Sequence, residues 1–416
     1  MPLKHHKDFV RFWIASTTSD FGTYITTLAL QVLVVVNLHG SATDVGWISA
    51  SRWLPYVLLG LVAGVIIDRT HRKSVLVMTD LGRGILLIVI CIMTVFGVIS
   101  IGWLIVIMVL FGCMSLFNDA AYQSFVPQLV PRRLLTQANA RLQQSAAVAE
   151  TSGPAIAGGL IGWIGAPFAI LVDGVSYLLS GIVMASIKHH PTEKASSDPI
   201  GEQIKEGLRW VYRHQYLRTL ALNTHVWFLF HSMSSTVIVT FAITELGFTA
   251  SILGLVFSFA GIGAVLGTSL STRVGKRWGI GGIMTFSRVL YIPAVILIVL
   301  APPAIQDNLQ TNALIMVVIG QFLYGFAMGL EGPLEMGYRQ SVTPSRLQGR
   351  MNATMRSINR SMIVIGAPLG GVIADGLGYR IALWISVVGL AICGVWYGLS
   401  KIRNIQLEDD DSIENH

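Results

Sequence analysis

Two carboxylates, Glu331 and Glu335, lie four residues apart in the apolar stretch 312–338. Residues at this spacing share one face of a helix, and Arg339 continues that face by one further turn. Two carboxylates in an apolar setting titrate as a coupled pair and could share one proton near neutral pH. The spacing therefore predicts a proton carrier, and the alternative is that Glu335 only forms a salt bridge with Arg339.

Several further ionisable side chains lie inside apolar stretches, where a charge is costly and by default marks function. Asp20 and Glu150 are expected near the bilayer midplane and are candidates for proton coupling or substrate binding. Asp173 and Arg52 lie at comparable depth and are candidates for the same role, unless they simply neutralise one another. His231 could titrate, although a membrane histidine that is hydrogen-bonded to a neighbouring helix is the commoner case.

Aromatic side chains inside the stretches could line a cavity that accepts varied apolar cargo. The candidates are Trp53, Tyr56, Tyr122, Trp227, Phe228, Tyr324 and Phe326. Aromatic residues also face lipid or pack as core, so we expect only part of this set to line a cavity.

The composition indicates which elements must hold these side chains. Of the 416 residues, 53% are hydrophobic and only 12% are charged, whereas a soluble domain has about 25% charged residues. A helix needs about 20 apolar residues to cross a bilayer. The sequence therefore predicts an all-α polytopic membrane protein. Twelve transmembrane helices in two six-helix bundles are predicted at 9–37, 45–67, 75–97, 101–124, 140–163, 166–187, 218–244, 251–272, 281–301, 312–338, 354–376 and 380–400.

Internal repeats predict that the two bundles are related in sequence. At an offset of 213 residues, Asn139-Ala140 matches Asn352-Ala353, and Gly153 matches Gly366. Repeated halves are typical of secondary transporters. The predicted organisation is a first bundle at 1–187, a cytoplasmic linker with an amphipathic helix at 188–217, a second bundle at 218–401 and an acidic cytoplasmic tail at 402–416.

The net charge of +7 reflects membrane topology rather than nucleic-acid binding. The loops between the spans alternate sharply in Lys and Arg, and the positive-inside rule then places both termini in the cytoplasm. The missing targeting segment and the compact loops favour a bacterial plasma membrane. The three cysteines lack metal-ligand spacing, and the sequence has no phosphate-binding loop. No metal, cofactor, nucleotide or enzymatic site is predicted.

Two motifs carry a resemblance to a known family. Residues 60–73, from Gly60 through Asp68, Arg69 and Arg72, resemble the loop 2–3 signature of the major facilitator superfamily, with His71 at a usual glycine position. Gly153-Pro154-Ala-Ile-Ala157-Gly158 is similar to its antiporter signature, with Ala157 replacing a glycine. Over nearly its whole length the chain resembles the macrolide-efflux-like branch of the drug:proton antiporters. The Arg-and-Gln-Gly motif of span 4 is missing, and Asn118-Asp119 stands near that position.

The resemblance implies that Asp68 helps to hold the cytoplasmic side shut, with Arg356 or Arg360 as partners. Arg69 and Arg72 belong to the same motif, or are merely positive-inside charges. Separately, Asp80, Arg83 and Asp119 cluster toward the cytoplasmic third of their spans, and we interpret them as ion pairs on the gate side.

The leading hypothesis is a proton-coupled exporter of hydrophobic or amphipathic compounds, which would confer multidrug efflux and antibiotic resistance. Its partners would be the small-molecule substrate, protons and the lipid bilayer. One alternative is a dedicated exporter of a single metabolite, such as a siderophore, or of a lipid. Another is a non-transporting receptor or channel, although the sequence has no continuous polar stripe or ring of charges.

Overall fold

The computed structural model describes residues 3–68, 70–131, 134–187, 200–303 and 307–405. These residues are almost entirely helical. The helices are α1 (Lys7–Val32), α2 (Ala42–Asp68), α3 (Arg72–Val95), α4 (Ile101–Leu129), α5 (Leu135–Ile164), α6 (Ala166–Ala185), α7 (Ile200–Arg213), α8 (Gln215–Thr244), α9 (Ala250–Trp278), α10 (Ile280–Val299), α11 (Asp307–Ser341), α12 (Ser345–Leu377) and α13 (Tyr379–Leu399).

Ten spans within the described residues are long and apolar enough to cross a membrane. They lie in all the helices except α2, α5 and the short α7. Large apolar side chains cover much of the outer surface, among them Leu399 and Trp163, which are 85% and 84% exposed. A surface of this kind suits lipid rather than water. The predicted class of an all-α, multi-pass membrane protein is therefore confirmed.

The helices pack as two sets. Within the first set, α1 contacts α5 and α6, α3 contacts α4 and α6, and α2 contacts α4. Within the second set, α9 and α10 pack on α11, α8 packs on α12 and α13, and α10 packs on α13. The most extensive contacts between the sets join α2 to α12 and α5 to α9. The space between the sets is thus bounded by two helix pairs.

Glycines bring α5 and α9 into backbone contact. A Cβ atom added to Gly158 would lie 2.6 Å from the Cα of Gly254, and one added to Gly254 would lie 2.6 Å from the carbonyl oxygen of Pro154. In lipid, helices associate through close van der Waals packing, which small residues permit. The Gly-Pro motif of α5 therefore provides the surface that α9 packs against.

A carboxylate joins α12 to α2 at the distal face, which we define as the end where α1 leads into α2 and α12 leads into α13. Asp375 accepts hydrogen bonds from the backbone N–H groups of Ala42 at 3.1 Å and Thr43 at 2.9 Å. These groups belong to the first turn of α2, where backbone N–H groups lack partners within the helix. Negative charge is also favourable at a helix N-terminus. Asp375 thus caps a helix of the other set.

Replacing Gly158 with Ala should lower the free energy of unfolding by about 1–3 kcal/mol, because the new methyl group overlaps the α9 backbone. Gly159→Ala is the matched control, since a Cβ there meets nothing within 4 Å. The check is the thermal unfolding midpoint of each purified variant in detergent. Equal midpoints for the two variants would show that the α5–α9 contact does not need a glycine at position 158.

Candidate functional site

A central cavity of about 450 Å³ lies between the two sets of helices. The first set contributes Trp53 from α2 and Glu150 from α5, and the second set contributes His231 from α8, Tyr324 from α11 and Arg360 from α12. The remaining lining is mostly apolar or hydroxyl-bearing. A cavity of this size and character matches a small-molecule site, which typically measures about 300–1,000 Å³.

A wall of stacked rings separates the central cavity from a second one. The ring of His231 stacks on Trp227, with centroids 4.6 Å apart and planes at 4°. His231 Nδ1 and the Tyr324 hydroxyl are hydrogen-bonded at 2.5 Å, and Tyr324 packs on Tyr291 at 4.6 Å between centroids. His231 borders both cavities. The stacked rings therefore contact both cavities.

The second cavity, of about 310 Å³, is an acid pocket, a name we use for the space around Arg288, Glu331, Glu335 and Arg339. Arg288 Nη2 lies 2.7 Å from Glu331 Oε1 and 3.9 Å from Glu335 Oε2. Arg339 Nη1 donates to Glu335 Oε1 at 3.0 Å. The side chains of Arg288 and Glu331 are 2% and 5% exposed. Two carboxylates and two guanidinium groups thus alternate in a nearly dry site.

This arrangement extends what the sequence indicates. The i,i+4 salt bridge between Glu335 and Arg339 is present, as one of the two interpretations of the acidic pair expected. Arg288 is the member that sequence reasoning missed, because nothing in the spacing shows that α10 packs its arginine against Glu331 of α11. The only signal was an arginine without an evident partner in an apolar stretch. The carboxylate pair is therefore held by two arginines.

A polar cluster lies within the first set of helices, around a cavity of about 280 Å³ that Asp20 and Tyr122 also line. Asp80 forms a salt bridge with Arg83 and accepts hydrogen bonds from Asn118 Nδ2 at 3.0 Å and Ser180 Oγ at 2.7 Å. Asp80 therefore has a counterion and two hydrogen-bond donors. Asp20 lines this cavity, and it lines neither the central cavity nor the acid pocket.

Asp119 does not join the Asp80–Arg83 pair directly. Its carboxylate accepts a hydrogen bond from the hydroxyl of Tyr56 at 2.7 Å. The buried Tyr56 therefore positions Asp119 and does not line the central cavity. Tyr122 is hydrogen-bonded to Ser16 at 3.0 Å. Of the predicted aromatics, Trp53, Phe228 and Tyr324 line the central cavity, and Trp227 lines the acid pocket.

Asp173 and Arg52 have separate partners. The fully buried carboxylate of Asp173 accepts hydrogen bonds from Thr26 Oγ1 and, at 3.0 Å, from Ser176 Oγ. Arg52 Nη1 donates to the hydroxyl of Thr27 at 3.2 Å. The two charges form no direct salt bridge within the described residues. Each charge is hydrogen-bonded to hydroxyl groups, and Arg52 acts on Asp173 only through a longer-range electrostatic attraction.

The predicted gate is described only in part. Arg69 and the side chain of Asp68 lie outside the described residues, Arg72 begins α3, and Arg356 is exposed on α12. The guanidinium carbon of Arg360 lies 3.8 Å from the centroid of the Trp53 ring, and Arg360 lines the central cavity. The structure thus assigns Arg360 to the central cavity.

The amphipathic helix α7 docks on the second set of helices. Glu206 forms a salt bridge with Arg350 of α12, and the Tyr212 hydroxyl is 2.9 Å from His225 Nε2 of α8. Burial raises the pKa of Tyr212, so its phenol stays protonated and donates to Nε2. His225 Nδ1 then carries the ring proton and donates to Asn359 Oδ1 at 2.6 Å. This chain of hydrogen bonds joins α7 to both α8 and α12.

Comparison with known proteins gives consistent relatives. A family described as transmembrane secretion effector matches residues 1–416. The chain is 26% identical over 412 residues to the multidrug efflux pump Tap of Mycolicibacterium fortuitum, covering 94% of this chain and 96% of that protein. It is 21% identical over 404 residues to the staphyloferrin A transporter of Staphylococcus aureus (strain NCTC 8325 / PS 47), covering 96% and 98%. The crystal structure of the nucleoside transporter NupG matches the fold with a TM-score of 0.76 at 10% identity, covering 94% and 98%.

Replacing Glu331 with Gln should lower the free energy of unfolding by about 3–5 kcal/mol, because it leaves the buried Arg288 without its counterion. The double variant Arg288→Gln/Glu331→Gln should recover most of this loss, since no lone charge remains. Glu335→Gln should lower the free energy of unfolding by less, because Asn352 Oδ1 also accepts a hydrogen bond from Arg339, at 3.3 Å. Thermal unfolding of the purified variants in detergent checks this order. A double variant no more stable than Glu331→Gln would contradict it.

Proposed function

Because this chain belongs to the transmembrane secretion effectors of the major facilitator superfamily, we propose that it is a proton-coupled secondary transporter that exports hydrophobic or amphipathic compounds by alternating access. The resemblance found in its motifs is confirmed by this membership. Its family and its structural neighbour are transporters, not enzymes. The observation that carries the proposal is the acid pocket, which shares the wall residue His231 with a drug-sized cavity between the two sets of helices.

The proposed topology has twelve membrane crossings. The helices α2 and α5, at 27 and 30 residues, are long enough to cross in addition to the ten apolar spans. Residues 1–187 and 218–401 would then form two six-helix bundles, joined by the linker 188–217. The distribution of Lys and Arg supports cytoplasmic termini in a bacterial plasma membrane. In this orientation the distal face is extracellular.

Rocking of the two bundles would expose the cavity to each side in turn. In the described structure the α5–α9 contact and the Asp375 cap hold the distal face together. These contacts must break for the cavity to open outward. We propose that Asp68, with Arg69 and Arg72, then closes the cytoplasmic side.

Replacing Asp68 with Asn should favour the state that is open to the cytoplasm, because the carboxylate that holds this side shut is lost. Distance probes attached to the two bundles at the cytoplasmic side should then move apart. Unchanged distances would contradict the proposed role of Asp68.

Proton coupling is proposed at Glu331. A proton that binds this carboxylate removes the counterion of Arg288, whose guanidinium can then turn to Glu335, the second carboxylate within 4 Å. The Arg288 shift would alter the packing of α10 on α11 and of the ring wall that includes Tyr324. Loss of the proton restores the original pairing. The cavity and the proton site are thereby linked through contacts that already exist.

The alternative of a dedicated metabolite exporter remains, since a relative of the chain is named as a staphyloferrin A transporter. The cavity also has a polar side, because α8 contributes Ser232, Ser234 and Ser235 to its lining. Several hydroxyl groups in one wall suit a cargo with specific hydrogen-bonding groups.

Everted membrane vesicles with an imposed pH gradient test both proposals. Wild-type vesicles should accumulate several structurally unrelated dyes, whereas the dedicated exporter would ignore all but one native compound. Arg288→Gln/Glu331→Gln should fall to the level of vesicles without the transporter, because the carboxylate that remains in the pocket, Glu335, is paired with Arg339. Glu335→Gln should keep part of the activity. Wild-type activity in the double variant would move the proton site to Asp20 or Glu150, and transport that ignores the gradient would contradict proton coupling.

A further inference from the structure

Arg360 differs from the buried arginines that have a carboxylate partner. Arg83 is paired with Asp80, Arg288 with Glu331, and Arg339 with Glu335. Within the described residues no carboxylate lies within 4 Å of the Arg360 guanidinium. The group rests on the face of Trp53 at 3.8 Å from the ring centroid and lines the central cavity.

The surroundings of Arg360 leave its charge available to a ligand. Asp119 attracts the Arg360 guanidinium from beyond salt-bridge distance, and its carboxylate accepts a hydrogen bond from the Tyr56 hydroxyl at 2.7 Å, so it leaves the N–H groups of Arg360 free for a ligand. Arg52 adds a second positive charge near this wall, with its guanidinium carbon 5.5 Å from the centroid of the Trp53 ring. A guanidinium in an apolar cavity costs several kcal/mol unless an anion pairs with it. This wall of the cavity therefore favours an anion.

The cavity also holds a carboxylate on its other side, Glu150, which forms no salt bridge with any of the described residues. Glu150 lies on α5, beside the α5–α9 contact, and the carbonyl oxygen of Glu150 would be 3.0 Å from a Cβ on Gly261. Arg360 lies on α12, which packs on α2. The two charges therefore lie toward the two opposite helix pairs that bound the cavity. Between them the lining includes Phe228 and Tyr324.

We propose that the central cavity binds an amphipathic compound by its carboxylate, which Arg360 holds in a bidentate pair while the aromatic body of the compound stacks near Trp53. The guanidinium is planar and matches the two oxygens of a carboxylate. Contact with Trp53 holds the fork in place and leaves its N–H groups for the ligand. Glu150 accepts a donor group at the far end of the cargo. This assignment rests on the proposed function and names the class of substrate.

The experiment compares 2-naphthylacetate with its methyl ester, which has the same aromatic body without the charge. Binding is measured by quenching of tryptophan fluorescence in the purified full-length protein. Wild type should bind the acid about tenfold more tightly than the ester, which corresponds to about 1.4 kcal/mol. Arg360→Met should bind both compounds equally, and Arg360→Lys should keep part of the preference. Arg277→Met, at the exposed end of α9, is the control and should behave as wild type.

Unchanged binding of the ester by Arg360→Met would show that the variant is folded, so its loss of acid preference would support the assignment. Equal binding of acid and ester by wild type, or a preference that persists in Arg360→Met, would overturn it. If Arg360→Met fails to fold, the affinities of Arg360→Lys for the acid and the ester are compared instead. A preference for the acid as large as that of wild type would then overturn the assignment. Transport of neutral dyes in everted vesicles separates this assignment from the proposed export function. If wild type transports the dyes but shows no preference for the acid, only the carboxylate site is rejected.

Discussion

A charge inside an apolar helix bundle must be neutralised by other groups of the bundle, because lipid offers none. The buried pair of Arg288 and Glu331 meets this requirement between α10 and α11. Asp80 meets it with Arg83, Asn118 and Ser180. Within the described residues, Glu150 and Arg360 form no salt bridge, and both line the central cavity, where a substrate can supply a partner.

The second constraint is steric. Helices in lipid have no hydrophobic driving force for association, so their contacts depend on close backbone approach. The glycines of α5 and α9 permit that approach, and they do so next to the cavity. The Asp375 cap adds a polar contact of short range at the distal face. Contacts of both kinds are lost over a short distance as helices separate, as the proposed transport cycle requires.

Local features of the structure could be predicted from the sequence. Glu335 and Arg339 are four residues apart on one helix, so their salt bridge follows from helical geometry alone. The composition likewise predicts the all-α membrane class, and two short motifs indicate the family. Each of these inferences uses residues that are close in sequence, or a pattern repeated along the whole chain.

Contacts between distant residues could not be predicted in the same way. The pairing of Arg288 with Glu331 depends on the rotation of α10 about its axis, which an almost uniformly apolar helix does not reveal. The same holds for Arg360, which the motif resemblance associates with a latch and the structure places over Trp53. The role of Asp375 could not be predicted either, because its partners are backbone groups of Ala42 and Thr43, which have no sequence signal.

Substrate in the cavity and a proton at Glu331 are, in our proposal, linked through the shared wall. Proton uptake or release on adding a transported substrate to the purified protein, in weakly buffered solution with a pH indicator, tests this link directly. We expect wild type to take up or release protons in proportion to the substrate bound, and Arg288→Gln/Glu331→Gln to do neither at equal substrate occupancy. Substrate binding to wild type without any proton uptake or release would contradict the link.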